Sequence, residues 1–248
     1  MTSRTAPVVL THVSKSYVKP PVYVVRDISL SIAEGEFFCL IGASGCGKST
    51  VIKLMAGLEA PSSGTVVRPE HVGMVFQSYA LLPWLTVERN VAFAARMRGF
   101  DRNKVSEVTE QYLRMVELEA FAERYPRELS GGQRQRVGIA RALAVEPDVL
   151  LMDEPFSALD PVMTDDLHDD VLRIWEQTKK TVVMVSHHFE EAVVLADRVG
   201  VMKDGKLEEV VEVNLPRPRR EDDQAFTAEV RKLRAFLEAA HATPSIAP

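Results

Sequence analysis

The sequence FFCLIGASGCGKSTVIKLMAG, at residues 37–57, decides the fold of this chain. Its first five residues are apolar and predict a buried strand. The glycine-rich residues 42–50 fit the pattern GxxxxGK[ST]. Residues 51–56 predict a helix that ends at Gly57, a residue suited to a left-handed C-cap. Strand, glycine loop and helix in this order predict an α/β fold built around a phosphate-binding loop.

Each residue type in this loop suits phosphate binding. Glycines let backbone N–H groups converge on phosphate oxygens, and the following helix adds the partial positive charge of its N-terminus. Lys48 supplies a charge for the β and γ phosphates, and Ser49 is expected to ligate Mg²⁺. The loop indicates a triphosphate but leaves ATP, GTP and others open, and an ordinary tight turn is the alternative without a ligand. The expected contacts are Gly42, Ser44, Gly45, Cys46, Gly47, Lys48, Ser49 and Thr50.

A second motif is the apolar run at residues 149–152, which ends in two acids, Asp153 and Glu154. A strand end of this kind can deliver one carboxylate to Mg²⁺ and the other to the attacking water. We expect Asp153 to be the metal ligand and Glu154 to be the general base. The alternative for such a pair is a helix N-cap or a solvated turn, and the phosphate loop upstream makes that alternative the weaker one.

Composition excludes several classes of function. With 248 residues, 46% of them hydrophobic, the chain can bury a large core. Its net charge of −5 gives no basic field for nucleic acid, and its two cysteines have neither disulfide-scaffold nor zinc-ligand spacing. No run of about 18 apolar residues and no apolar signal core is present. We therefore expect a soluble cytoplasmic protein that reaches a membrane only through a partner.

Further apolar patterns extend the fold beyond the phosphate loop. Alternation within residues 8–31, broken at Pro20-Pro21, predicts short antiparallel strands. Runs at residues 72–76, 149–152 and 181–185 predict buried parallel strands, with the ligand site at their carboxyl ends. The expected fold is α/β: a P-loop NTPase core with a parallel sheet and an N-terminal antiparallel β-subdomain.

Helical patterns predict the remaining organisation. Polar helical periodicity runs from residue 87 to about residue 123 and indicates a helical subdomain at about 80–145. A basic, turn-rich segment at residues 215–220 is followed by an amphipathic helix from about residue 222 to residue 240. We expect one nucleotide-binding domain at 1–220 and a helical tail at 221–248.

Residues 129–133, LSGGQ, complete the pattern. Together with the two motifs above, they resemble the nucleotide-binding subunits of ABC transporters, for which LSGGQ is the signature, and the resemblance extends from residue 8 to about residue 219. It implies a helical signature subdomain, ATP and Mg²⁺ as ligands, and a dimer in which two copies sandwich two ATP molecules. The helix is expected to start near Gln133, so that its N-terminus faces a phosphate of the opposing copy. The signature contacts would be Ser130, Gly131, Gly132 and Gln133.

The same resemblance implies roles for four further residues. Gln77 matches the glutamine that touches Mg²⁺ or water and senses the membrane partner. His187, after a predicted strand, matches the histidine that contacts the γ-phosphate. Asp160, at the end of Ser157-Ala158-Leu159-Asp160, matches the D-loop, and Tyr17 matches the aromatic residue that stacks on adenine. The catalytic residues implied are Glu154, His187 and Gln77, with Ser49, Gln77 and Asp153 at the metal.

Three features leave alternatives open. Tyr17 and Tyr23 are both close to the expected adenine site, and either could simply pack in the β-subdomain. His187 is followed by His188 where the family usually has an acid, so the pair could be a metal site, two surface groups or one catalytic residue with a bystander. The arginines after the signature suggest either a nucleic-acid patch or, as we expect, a mixed solvated face with some phosphate-directed role. They are Arg134, Arg136 and Arg141.

Residues 81–93 and the tail at 214–220 resemble the branch that serves importers of nitrate, sulfonates, taurine and related solutes. That branch implies a peripheral protein on the cytoplasmic face of the inner membrane. Its expected partners are a second copy of the chain, transmembrane permease subunits and, indirectly, a solute-binding protein, with no nucleic acid. An exporter or lipid-trafficking ATPase is the alternative within transporters, and a non-transport ABC regulator is the alternative outside them. A phosphate-loop kinase or GTPase would leave LSGGQ and His187 unexplained.

Overall fold

A computed structural model describes residues 7–239, apart from the side chains of residues 161, 162, 238 and 239. Within that range the strands are, in chain order, β1 (Val8–Ser16), β2 (Tyr23–Ile32), β3 (Phe37–Gly42), β4 (Ser63–Val67), β5 (Val72–Val75), β6 (Val149–Asp153), β7 (Thr181–Ser186), β8 (Arg198–Lys203) and β9 (Lys206–Glu212). The helices are α1 (Lys48–Ala56), α2 (Val87–Met97), α3 (Arg102–Met115), α4 (Gly131–Leu143), α5 (Pro161–Thr178), α6 (Phe189–Leu195) and α7 (Gln224–Ala239), with two 3₁₀ turns at Glu119–Phe121 and Pro126–Glu128.

The chain divides into two compact units. The first consists of the described residues up to Arg68 together with those from Thr181 onward, and the second is Pro69–Lys180. The first unit contains the predicted antiparallel β-subdomain, in which β1 pairs with β2 on one side and β4 on the other. The alternation of β1 places Val8 and Leu10 in the core, as a period of two predicts, and a register shift between Leu10 and Val13 places Val13 there as well.

The rest of the first unit is mainly parallel sheet. Strand β3 lies between β7 and β8 and runs parallel to both, while β9 is antiparallel to β8. All six residues of β3 are buried, as expected for a central parallel strand. Ile41 in β3 is the register partner of Ser186 in β7. The chain after β3 and the chain after β7, which carries His187, therefore leave the sheet at the same edge.

Helix α1 follows β3 and ends as predicted, at Gly57, which is left-handed with φ 71°. It begins at Lys48, three residues earlier than the apolar pattern indicated, because Gly47 is the N-cap and the polar residues of the motif form the first turn. Helix α7, the last helix of this unit in chain order, buries Phe226, Val230 and Leu233 on one face. The final residue of the predicted tail helix, Ala240, lies outside the described residues.

The second unit pairs β5 with β6 in parallel, with α4 packed against β5 and with α2, α3 and α5 packed against α4. The helical periodicity over residues 87–123 is not one helix but two, followed by a 3₁₀ turn. Gly99, with φ 87°, ends the first of them, and the Asp101 carboxylate caps the second by accepting from the Lys104 N–H at 2.9 Å. Thr86 caps α2 in the same way, accepting from the Arg89 N–H.

Candidate nucleotide-binding site

The backbone shape of the phosphate loop depends on its glycines. Gly45 and Gly47 are left-handed, with φ 80° and 104°, a region that other L-residues rarely adopt. A Cβ on Gly47 would lie 2.6 Å from the Val24 carbonyl oxygen, and a Cβ on Gly42 would lie 2.2 Å from that of Met202. Both approaches are too close for any side chain. Glycine at these two positions is therefore required by the neighbouring strands, and the loop can curl tightly at the start of α1.

Lys48 carries its charge into this loop. It is only 4% exposed, and its Nζ donates to the carbonyl oxygens of Gly42 at 2.8 Å and Ala43 at 3.0 Å. An ammonium group has three donor hydrogens, and these two bonds use two of them. Helix α1 has no side-chain cap at Gly47 and no acid in its first turn, which includes Ser49 and Thr50. The helix dipole and the lysine thus give this edge of the sheet a positive potential suited to phosphate.

Tyr17 lies beside the same helix. Its hydroxyl donates to the Glu59 carboxylate and is 3.5 Å from the Thr50 Oγ1 in the first turn of α1. The side chain is 55% exposed, and the pKa of its phenol is raised by partial burial and by Glu59. Lys15 Nζ is 4.9 Å from the ring centroid. Tyr17 therefore does not pack in the β-subdomain core but presents an aromatic ring next to the phosphate loop.

His187 and His188 follow β7 and are both exposed. Their ring centroids are 4.1 Å apart with planes inclined by 40°. The turn is held by Ser186, whose hydroxyl donates to the Glu191 carboxylate and accepts from the His188 N–H at 3.0 Å. His188 is the N-cap of α6 but makes no side-chain cap bond, so the position loses the capping function an acid would have. Within residues 7–239, no three His, Cys, Asp or Glu side chains are grouped to hold a metal ion.

The second unit contains the acidic pair. Buried strand β6 ends at Asp153, and the next residue, Glu154, has a left-handed backbone with φ 45°. For a residue other than glycine this conformation costs about 1–2 kcal/mol. Ser157 offsets it by donating both its N–H, at 3.3 Å, and its hydroxyl, at 3.0 Å, to the Glu154 carbonyl oxygen. The turn places the Glu154 carboxylate 3.4 Å from the Gln77 side-chain nitrogen, so the structure brings these two predicted residues together.

The signature residues form the start of α4. The helix begins at Gly131 rather than near Gln133, because Ser130 is the N-cap of a capping box. The Ser130 Oγ accepts from the Gln133 N–H at 3.2 Å, and the Gln133 Oε1 accepts from the Ser130 N–H at 2.9 Å. A Cβ on Gly132 would meet only Met163 Sδ, at 3.8 Å. Internal packing thus does not demand glycine at 132, and the Ser130 hydroxyl keeps a hydrogen to donate outward.

Asp160 and the post-signature arginines have structural partners. The Asp160 carboxylate caps α5 by accepting from the Met163 N–H at 3.0 Å. Arg134 donates to the Leu129 carbonyl oxygen, Arg136 pairs with Asp170 at 2.6 Å, and Arg141 donates to the Tyr79 and Ala80 carbonyl oxygens. All three arginines are partly exposed, so the expected mixed face stays a prediction, and the structure adds the partners that each one binds. Each is long enough to reach an acceptor on a neighbouring segment, and burial lowers the pKa of Arg141.

Residues 25–157 match the ABC transporter family. The chain is 45% identical over 205 residues to the nitrate import ATP-binding protein NrtD of Synechocystis sp., covering 79% of this chain and 77% of that protein. It is 41% identical over 233 residues to the aliphatic sulfonates import ATP-binding protein SsuB of Bacillus cereus, covering 89% and 91%.

Solved structures have the same fold. An ATP-binding cassette determined as a dimer in a post-hydrolysis state, with ADP and Pi bound, is 33% identical, has a TM-score of 0.74 and covers 84% of this chain and 100% of that one. CbiO1 of Clostridium perfringens, at 24% identity, has a TM-score of 0.79 over 95% of this chain and 97% of that one. In residues 7–239, none of the helices combines the length and the apolar character needed to span a bilayer. The chain therefore belongs to the ABC transporter family, as an ATP-binding subunit whose ATPase activity is coupled to transport.

Proposed function

We propose that this subunit drives the uptake of a small solute of the nitrate, sulfonate or taurine class. The observation that carries the proposal is the pair of relatives above, both import ATP-binding proteins, matched over more than three quarters of their length. The chain works on the cytoplasmic face of the membrane, bound to permease subunits that a solute-binding protein supplies with cargo. Its nucleotide-binding domain comprises residues 1–220 and contains a helical subdomain at about 80–145. A helical tail at 221–248 follows this domain.

We propose the following roles for individual residues at the nucleotide. Lys48 and the N–H groups at the start of α1 bind the phosphates, and Tyr17 stacks on adenine. The oxygen donors Ser49, Gln77 and Asp153 suit Mg²⁺, which when bound neutralises phosphate charge. No step needs a covalent intermediate with the protein, so positioning and electrostatics account for the acceleration.

Glu154 is the proposed general base. Its carboxylate receives a proton from the water that attacks the γ-phosphate, while the Gln77 amide beside it fixes the orientation of that carboxylate. His187 donates to the γ-phosphate. The left-handed backbone at Glu154 is consistent with this role, because residues in strained conformations cluster at active sites.

The active unit is proposed to be a dimer of this chain. Ser130 and Gly132 of one copy would bind the γ-phosphate held by the other, using the free hydroxyl hydrogen and the dipole of α4. A ligand that contacts both copies favours their association by mass action, and removal of the γ-phosphate weakens it. The solved dimeric cassette at 33% identity supports this arrangement.

A groove in the second unit is the proposed docking site for the permease. It has a volume of about 480 Å³ and a mainly apolar lining that includes Phe76, Leu82, Phe93 and Met97. Met97 is 70% exposed, and the neighbouring loop presents Trp84, which is 69% exposed. Exposed apolar groups of this size mark a surface that binds a partner. A short apolar segment of a permease subunit would fill the groove next to the Gln77 loop.

The test is size-exclusion chromatography with light scattering on Glu154→Gln, with and without ATP and Mg²⁺. The variant should bind ATP and form a stable dimer, while single-turnover hydrolysis falls by about 100-fold or more. Glu208→Gln makes the same chemical change at an exposed site and should hydrolyse at the wild-type rate. Normal hydrolysis by Glu154→Gln would refute the base assignment. With the permease reconstituted in vesicles, ATP-driven export of the solute rather than uptake would refute the importer assignment.

A further inference from the structure

The segment after Gln77 has an unusual backbone. Tyr79 and Ala80 are both left-handed, with φ 58° and 47°, although neither is glycine. Two consecutive L-residues with side chains rarely adopt this conformation, because each brings its Cβ close to the following carbonyl oxygen. An isolated segment of this sequence would relax to another shape. Two main-chain bonds within the segment contribute, from the Tyr79 N–H to the Phe76 carbonyl oxygen at 3.2 Å and from the Ala80 N–H to that of Ser78 at 2.6 Å, and contacts from elsewhere in the unit add to them.

Arg141, in the last turn of α4, holds them. Its Nη2 donates to the Tyr79 carbonyl oxygen at 3.0 Å, and its Nη1 donates to the carbonyl oxygen of Ala80. The planar guanidinium presents two N–H groups in a fixed fork, so its two bonds hold the adjacent carbonyl oxygens on one side of the segment. Arg134 lies over the Tyr79 ring, with its guanidinium carbon 5.4 Å from the ring centroid. The fork thus stabilises the left-handed pair in the position seen in the structure.

The conformation of Tyr79 and Ala80 affects the position of the proposed catalytic residue Gln77. Only Ser78 separates Gln77 from Tyr79, and the Gln77 amide nitrogen is 3.4 Å from the Glu154 carboxylate. We propose that Arg141 is a positioning residue for ATP hydrolysis, which keeps Gln77 against Glu154 by fixing the two left-handed residues after it. The inference rests on the roles proposed above for Gln77 and Glu154. Since Ala80 and Arg141 also line the apolar groove, a segment docked there would contact the same two residues.

The experiment compares Arg141→Met with Arg141→Lys in the full chain, by single-turnover hydrolysis and by ATP binding at equilibrium. Methionine keeps an unbranched apolar stem but is shorter and has no donor, and lysine keeps the charge but not the fork. Arg141→Met should lower the hydrolysis rate by about tenfold to a hundredfold, while ATP affinity stays within about twofold, as misplacement of a catalytic group predicts. Arg141→Lys should fall between it and the wild type.

A second substitution separates positioning from a general loss of stability. Glycine adopts positive φ without strain, so Ala80→Gly added to Arg141→Met should recover about fivefold or more of the rate. Ala80→Val, which leaves Arg141 intact but disfavours positive φ, should lower the rate as Arg141→Met does. Arg136→Met removes a guanidinium from the same helix, where it pairs with Asp170, and should leave the hydrolysis rate unchanged even if the protein melts at a lower temperature.

The outcomes discriminate between the two proposals. If Glu154→Gln hydrolyses normally, the proposed function fails whatever Arg141 does. If Glu154→Gln is inactive but Arg141→Met and Ala80→Val both hydrolyse at the wild-type rate, the positioning role of Arg141 is wrong. It is also wrong if Ala80→Gly gives no recovery, because the loss of rate would then not come from the conformation of this loop.

Discussion

Asn90, a completely buried polar residue in α2, should be one of the most sensitive positions of the second unit. Its side-chain oxygen accepts from the Leu82 N–H at 2.8 Å. Its amide nitrogen lies within 3.1 Å of the carbonyl oxygens of Leu82, Leu85 and Thr86. A single amide therefore fixes the loop that carries the exposed Trp84. Removing it takes this partner from the Leu82 N–H and the Leu85 carbonyl oxygen, whereas the carbonyl oxygens of Leu82 and Thr86 still accept from main-chain N–H groups.

The magnitude follows from these bonds. One accepted bond and two amide hydrogens shared among three carbonyls amount to three effective hydrogen bonds, each with a net value of about 1 kcal/mol. Asn90→Ala should then lower the free energy of unfolding by about 3 kcal/mol. For a chain of this length, 1 kcal/mol corresponds to about 2–4 °C in Tm, so the expected decrease is about 6–12 °C.

The assay is thermal unfolding followed by circular dichroism, with Arg89→Ala as the matched control on the same helix. Arg89 is exposed, and its cap bond to Thr86 uses the main chain, so its Tm should change by no more than about 2 °C. Asn90→Asp keeps the acceptor and the shape but replaces the donors by a negative oxygen facing carbonyls, and should be no more stable than Asn90→Ala. A Tm for Asn90→Ala within about 2 °C of the control would refute this account of the loop.

Three further predictions concern the first unit. Lys48→Ala should weaken ATP binding by about tenfold or more, since it removes the charge held inside the loop; wild-type affinity by calorimetry would contradict the phosphate role of Lys48. Cys46 is 8% exposed, and burial raises the pKa of its thiol. Alkylation of Cys46, followed by peptide mapping, should therefore be slow at pH 7, faster as the pH rises, and slower again when ATP is bound. Equal rates with and without ATP would count against nucleotide binding in this loop. Arg219 donates to the carbonyl oxygens of Val193, Ala196, Val213 and Leu215, and burial lowers its pKa to about 10. Arg219→Lys should therefore lower the free energy of unfolding, measured with denaturant, by about 1–3 kcal/mol. An unchanged midpoint would refute the role of Arg219 in holding α6.

The fold was predictable where the chemistry of a ligand or the period of a sheet restricts the sequence. The apolar run of β3, the glycine loop and the left-handed Gly57 follow directly from residue types. The starts of helices were less accurate, because apolar periodicity does not mark a first turn made of polar residues. Lys48 begins α1 and Gly131 begins α4 for this reason. The second of these could have been predicted, since Ser130 and Gln133 have the spacing of a capping box.

Within the site, the sequence indicated candidate residues but not their local conformation. The strand-end position of Glu154 and the family resemblance at Gln77 suggested roles that stay predictions, and the structure places the Glu154 carboxylate 3.4 Å from the Gln77 amide nitrogen. Nothing in the sequence indicates that Glu154 is left-handed, because that conformation depends on two bonds from Ser157 to one carbonyl oxygen. The arginines after the signature show the same limit. The sequence places cations on this helix, but it does not indicate which acceptors lie within their reach.

The residues that sequence reasoning missed share one physical property. Asn90, Arg141 and Arg219 each donate mainly to main-chain carbonyl oxygens of another segment. A carbonyl oxygen is the same in every residue, so the partner leaves no mark in the sequence, unlike the acid that pairs with a lysine or the glycine that a phosphate requires. Some polar side chains are long or buried and have no complementary side chain at helical or strand spacing. For these residues a structure reveals a role that the sequence motifs do not indicate. Asn90, Arg141 and Arg219 hold the loop of Trp84, the segment after Gln77 and the helix after His187, so each one supports a segment next to a proposed functional residue or surface.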